Sequence, residues 1–291
     1  MNNSIQSVEE KKGKETAVTE VRMLFQNPRI RKKTMVLIEG RDDYDCYACF
    51  FSDQNVYLYP KNIRFHFYIT DTLTKQGHCV ISIKDADFLH CNGDNQVCPN
   101  MFYTDAHDLE TMLLQCGALK NMDNGMMKLV ENIDVDSICR TLQNYSTIKW
   151  FNYNTHKNMD FRKVSVGELY KNGEMADICS LFERVRQMSG KSLVTYEEFA
   201  DFLKNRKIES ILALTNGHDL FECIYVEAKR MTRGNLDKKK FFKSIRKAFD
   251  VSMFMTTQLF IALKKWDDGH NENMFVSKIY ENNFSLLTLK K

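Results

Sequence analysis

Three times in its first 110 residues the chain runs a short apolar stretch directly into carboxylates. Met35–Ile38 meets Glu39 in "MVLIEGRDDYD", Val80–Ile83 meets Asp85 and Asp87 in "HCVISIKDADF", and Met101–Tyr103 meets Asp105, Asp108 and Glu110 in "NMFYTDAHDLETMLLQ". A short, continuous apolar run bounded by polar residues suits a strand buried on both faces. Between the runs lie segments with helical spacing, such as Tyr44, Tyr47 and Phe51. Strands joined through helices need crossover connections, so the sheet is expected to be mostly parallel. The pattern predicts an α/β fold, a parallel sheet flanked by helices, with each acidic group beyond a strand's carboxyl end.

The remainder divides into expectations of differing kind. Residues 1–30 read as a polar, disordered tail with a short helix in "TAVTEVRMLFQN". "IRFHFYI" (63–69) alternates, with His66 on the face opposite Phe65 and Phe67, and predicts a half-exposed strand. "STIKWFNYN" suggests one further strand. Residues 31–170 form the expected α/β domain and 171–291 a mainly helical one. In the latter half "ADICSLFERVRQM" and "HDLFECIYVEAKRM" carry apolar residues at helical spacing, and "TYEEFADFLKN" opens with a capping box from Thr195 to Glu198.

Composition narrows the class. At 43% hydrophobic and 27% charged, the chain is a globular protein. No apolar stretch reaches the ~18 residues that a membrane span requires, and "MNNSIQSVEEKKGKE" lacks the apolar centre of an export signal. Nine cysteines without such a signal point to reduced thiols in a cytoplasm.

The first acidic window holds four carboxylates and one arginine in seven positions, 39 to 45. Like charges this dense are tolerated where something positive sits. In an open parallel sheet, sites form beyond the carboxyl ends of the strands, so acids distant in sequence can converge. On an extended chain Asp85 and Asp87 would point the same way. With Glu39 they make a set of hard oxygen ligands suited to Mg²⁺ or Mn²⁺, which keeps several waters and accepts substrate phosphates. Such ions activate water for phosphodiester hydrolysis. Ordinary helix capping also explains acids at these positions, above all Asp108 and Glu110.

"VLIEGRDD", followed by "ISIKDADF" whose Asp85 lies 46 residues after Glu39, resembles the Toprim domain of topoisomerases, bacterial primases and overcoming-lysogenization-defect nucleases. "FYTDAHDLE" and the later "NGHDL" (216–220) resemble the Toprim-like nucleases paired with ABC-type ATPases in bacterial phage defence. The likeness covers roughly residues 34–116 and the NGHDL island. It implies a Toprim-like sheet, with Glu39 binding metal and assisting catalysis and Asp85 and Asp87 binding Mg²⁺. It adds Asp43 as a further acid, Asp108 and Glu110 as holders of a second ion, and Lys84 as the cation that meets developing phosphate charge. Leu89 stands where some Toprim proteins carry a third aspartate, which argues against a topoisomerase. The implied activity is cleavage of DNA or tRNA as an antiviral effector, under control of an ATPase partner. The alternative is a non-catalytic regulatory or binding subunit of such a complex; self-association is left open.

Other signals are weaker. His218 and Asp219 either open a helix after a turn or fold back beside the carboxylates. "KRMTRGNLDKKKFFKSIRK" (229–247) carries nine Lys or Arg and one Asp. Lys238, Lys239, Lys240, Lys243 and Arg246 are candidates for a phosphate-backbone track, or for the solvated face of a helix whose Phe241, Phe242 and Ile245 pack inward. "SGKS" (189–192) has Val185 where a phosphate-binding loop needs glycine, and reads as a helix end. Cys46 with Cys49, and Cys91 and Cys98 beside His90, are read as incidental thiols in preference to a zinc site.

Overall fold

The computed structural model describes residues 2–60, 65–93, 99–190, 193–204, 206–232 and 235–281. The first half holds α1 (Asn2–Leu24), β1 (Thr34–Ile38), α2 (Arg41–Tyr47), β2 (Val56–Pro60), α3 (His66–Lys75), β3 (Val80–Lys84), α4 (Leu89–Asn92), β4 (Met101–Tyr103) and α5 (Leu109–Gln115). Then come α6 (Asn124–Val130), α7 (Val135–Thr155), α8 (Val166–Leu169), α9 (Ile178–Met188) and α10 (Tyr196–Leu203). The chain closes with α11 (Ile211–Leu214), α12 (Gly217–Met231), α13 (Lys238–Lys247), α14 (Val251–Phe254) and α15 (Gln258–His270). No helix among the described residues is long and apolar enough to cross a membrane. The fold is α/β, with an all-parallel sheet, flanking helices and a helical C-terminal half.

The chain groups into two compact units. The first comprises residues 1–85, 96–104 and 251–291 and contains the whole sheet, in the order β2-β1-β3-β4. Every residue of β1 is buried, as its continuous apolar run requires. β1 pairs with β2 through Thr34↔Val56 to Ile38↔Pro60, and with β3 through Met35↔Val80 to Leu37↔Ser82. On one sheet face Met35, Leu37 and Val80 pack with Ile69 and Leu73 of α3 and with Val18 and Val21 of α1. Elsewhere in this unit Phe50, Phe51, Phe254, Phe260 and Phe275 form an aromatic cluster, with Phe50 and Phe254 stacked at 4.4 Å.

The second unit, residues 86–95 and 105–250, is helical. α7 supplies much of its core, with Leu142, Tyr145, Ile148, Trp150 and Phe151 buried. Short polar side chains start its helices: Asp108, Asp134, Asp177, Thr195, Asn216 and Asp237 each accept from a first-turn N–H. The Thr195–Glu198 capping box is present.

Three expectations fail locally, and one strand had none. The N-terminal tail is the helix α1, starting at Asn2. "STIKWFNYN" lies inside α7, where its buried residues continue one helix stripe. In "IRFHFYI", residues 63 and 64 lie outside the described residues, and His66–Ile69 begins α3. His66, Ile69, Thr70 and Leu73 are buried together, a spacing of three and four that packing against the sheet selects over alternation. β2, in "VYLYP", was not expected: it is a partly exposed edge strand whose tyrosines and closing Pro60 hide the usual signal.

Candidate functional site

Strand order locates the first candidate site. The chain leaves β1 for β2 on one side and then crosses to β3 on the other. The carboxyl ends of β1 and β3 therefore flank a topological switch point, where open parallel sheets bind ligands. Extending the Leu37↔Ser82 register by two places Glu39 opposite Lys84. Their side chains form an ion pair of 3.0 Å, at 34% and 33% exposure. Thr104 donates its N–H to the Lys84 carbonyl at 3.1 Å, tying the end of β3 to the chain after β4. Asp85, partly exposed, is the next residue along.

Two acids from the first part of the chain have defined local settings. Asp43 accepts the Gly40 N–H at 2.7 Å and so pins the start of α2. Asp87 has a left-handed backbone, φ 48, and its N–H donates to the His107 carbonyl at 2.6 Å. β3 ends at Lys84 and Asp87 is left-handed, so the extended run on which Asp85 and Asp87 were expected to align stops before Asp87.

In the helical unit the "DLE" and "NGHDL" segments meet. Asp108 is buried at the start of α5. One carboxylate oxygen accepts from the Thr111 N–H and hydroxyl at 3.0 and 2.9 Å. The other meets the Gly217 N–H at 2.6 Å, His107 Nδ1 at 3.2 Å and Asn216 Nδ2 at 3.4 Å. Burial pushes the Asp108 pKa up, but the His107 hydrogen bond and charge, with the Thr111 and Gly217 N–H groups, outweigh it and hold it below the usual range. Glu110, also buried, accepts from Arg246 at 2.8 Å, with the exposed His218 at 3.8 Å. Asp219 pairs with Lys149, whose ammonium also lies over the Tyr145 and Phe161 rings.

These contacts correct several expected roles. Donors from Thr111, Gly217, His107 and Asn216 surround both oxygens of the buried Asp108, which suits it to a structural role and not to a second ion. Glu110 is committed to Arg246, and Asp219 to Lys149. Arg246 is turned inward and is no part of a surface track. Lys239, Lys240 and Lys243 are exposed on α13, while Lys238 pairs with Glu222 and Phe241 and Ile245 are buried. Ser189 and Gly190 end α9 as expected, with Lys191 and Ser192 outside the described residues.

The fit to Mg²⁺ divides accordingly. Glu39 and Asp85 are partly exposed oxygen donors at the switch point, which suits an ion that retains most of its waters. Asp108 and Glu110 do not fit. Among the described residues no three His, Cys, Asp or Glu side chains are gathered to hold a metal; Cys98 lies outside them. Two histidines were missed. His107 orients against Asp108, and His66, buried in the sheet unit, is held down to about 4 by burial and by the Lys84 charge. Neither had a signal beyond its apolar neighbours.

The chain matches no protein-family model, and no curated protein matches it significantly.

Proposed function

We propose that this protein is a divalent-metal-dependent nuclease that hydrolyses phosphodiester bonds in DNA or tRNA. The observation that carries the reading is the placement of Glu39, Lys84 and Asp85 at the β1/β3 switch point of an all-parallel sheet. Carboxylates for a cation and an ammonium for an anion are the pair of charges that metal-assisted phosphoryl chemistry needs. Bound Mg²⁺ or Mn²⁺ would supply charge neutralisation and an acidified water. Glu39 and Asp85 are the residues to hold it. Lys84, released from Glu39, is placed to meet charge on the phosphate. The Toprim likeness of "VLIEGRDD" and "ISIKDADF" supports the same assignment. By that likeness the protein is a cytoplasmic effector of bacterial antiviral defence, held in check by an ABC-type ATPase partner.

The test is cleavage of plasmid and of total tRNA with Mg²⁺ or Mn²⁺ by wild type, Glu39→Gln and Asp85→Asn. We expect a loss of at least ~10³-fold in each variant with unchanged thermal unfolding. Cleavage by well-folded Glu39→Gln at the wild-type rate sinks the assignment. The Glu39–Lys84 pair and the committed Asp108 and Glu110 favour a second reading, a regulatory subunit. A stable complex with an ATPase that shows no metal-dependent cleavage when activated would select it.

A further inference from the structure

His66 opens α3 and is 2% exposed, yet among the described residues neither ring nitrogen has a hydrogen-bond partner. A neutral imidazole carries one donor and one acceptor, and buried polar atoms are nearly always paired. Its neighbours follow from register. Thr70 Oγ1 and Ser82 Oγ lie 2.7 Å apart, which fixes α3 against β3. α3 connects two parallel strands of one sheet, so it runs opposite to β3. One turn back along α3, about 6 Å, is His66. Two residues forward along β3, about 6.6 Å, is Lys84. Both steps lead to the carboxyl end of β3 on one sheet face. The electrostatics agree, because after burial the Lys84 charge is what lowers His66 to about 4. Lys84 in turn touches Glu39. α3 is ten residues long, and its N-cap, Phe65, offers no side-chain acceptor to the first-turn N–H groups.

By this register an imidazole unpaired among the described residues, an ammonium and a helix N-terminus lie at one end of the sheet face that carries Glu39. Glu39 satisfies Lys84 but leaves His66 unmet. A phosphoryl group has enough oxygens to take all three donors at once. We propose that His66, Lys84 and the first turn of α3 form a phosphoryl-binding subsite, entered when Lys84 swings from Glu39 to the anion. Neutral His66 donates one N–H to a phosphoryl oxygen. That this phosphoryl group belongs to a nucleic acid rests on the function proposed above; the binding does not.

The experiment is an NMR titration of inorganic phosphate into the full chain, labelled at its 7 histidines, without divalent metal. His66→Gln identifies the His66 signal. We expect that signal to shift saturably. Lys84→Met should weaken phosphate about tenfold or more, as should His66→Phe, which keeps a ring but no donor. His66→Gln, which keeps an N–H, should stay closer to wild type. Thermal unfolding of each variant separates lost binding from lost fold, and the wild-type titration stands if His66→Phe fails to fold. A His66 signal that phosphate leaves unmoved, or His66→Phe binding as tightly as wild type, overturns the subsite. Phosphate binding without nucleic-acid cleavage would refute the nuclease and leave the subsite. Cleavage with an unmoved His66 signal would do the reverse.

Discussion

A Cβ at Gly217 would stand 2.2 Å from an Asp108 oxygen and 2.4 Å from the Glu110 Cβ. The glycine of "NGHDL" therefore exists for close approach: its N–H reaches Asp108 only because no side chain intervenes. Overpacking of this kind costs about 1–3 kcal/mol, and here it also stretches a buried hydrogen bond. Gly217→Ala should lower stability by about 3 kcal/mol, read from urea unfolding. His66 makes a prediction of a different kind. Its folded pKa of about 4 lies below the ordinary 6.5, so between these values the unfolded chain holds more protons. Stability is full above about 6.5 and drains as pH falls toward about 4. From pH 7 to pH 5 the wild type should lose about 2 kcal/mol that His66→Phe does not lose. Equal losses in the two proteins would show that the imidazole titrates normally.

Single elements repeat the lesson that charge runs conceal different duties. α13 buries Phe241 and Ile245 and exposes Lys239, Lys240 and Lys243, while Arg246 reaches in to Glu110. If the helix follows a nucleic-acid backbone, replacing the three lysines by alanine should weaken duplex binding and flatten the salt dependence by about three counterions. Arg246→Ala should instead cost about 3 kcal/mol of stability, because it leaves Glu110 buried and uncompensated. Fluorescence anisotropy at several salt concentrations, with thermal unfolding alongside, separates the two effects. An unchanged salt slope in the triple variant would assign the lysines to an ordinary solvated face.

In the whole molecule, the sheet-bearing unit is assembled from distant stretches of chain. Phe51 bridges to Phe275, Thr34 donates to Glu272 at 3.0 Å, and Phe254 stacks on Phe50. A fragment ending at residue 170 keeps every strand but loses these partners. It should lack the near-ultraviolet circular dichroism of a packed core. A cooperative unfolding transition in that fragment would show that the sheet does not need the C-terminal segment.

Local sequence suffices for the parallel strands β1, β3 and β4, the acids at their ends and the capping of α5 and α10. Each of these is encoded locally, by an unbroken apolar run or by a short polar residue before a helix. The alternation in "FHFY" was misleading, because His66 and Thr70 also fit one face of α3, and only the sheet beneath decides between the periods. Sequence could number Asp108, Glu110, Gly217 and Arg246 as acid, acid, glycine and base. Their roles as hub, ion-pair partner, close contact and inward cation come from tertiary structure, because saturation of a carboxylate depends on donors as far as 136 residues away. The same holds at the switch point. Glu39 and Lys84 are 45 positions apart in sequence, and only the register of neighbouring strands makes them a pair.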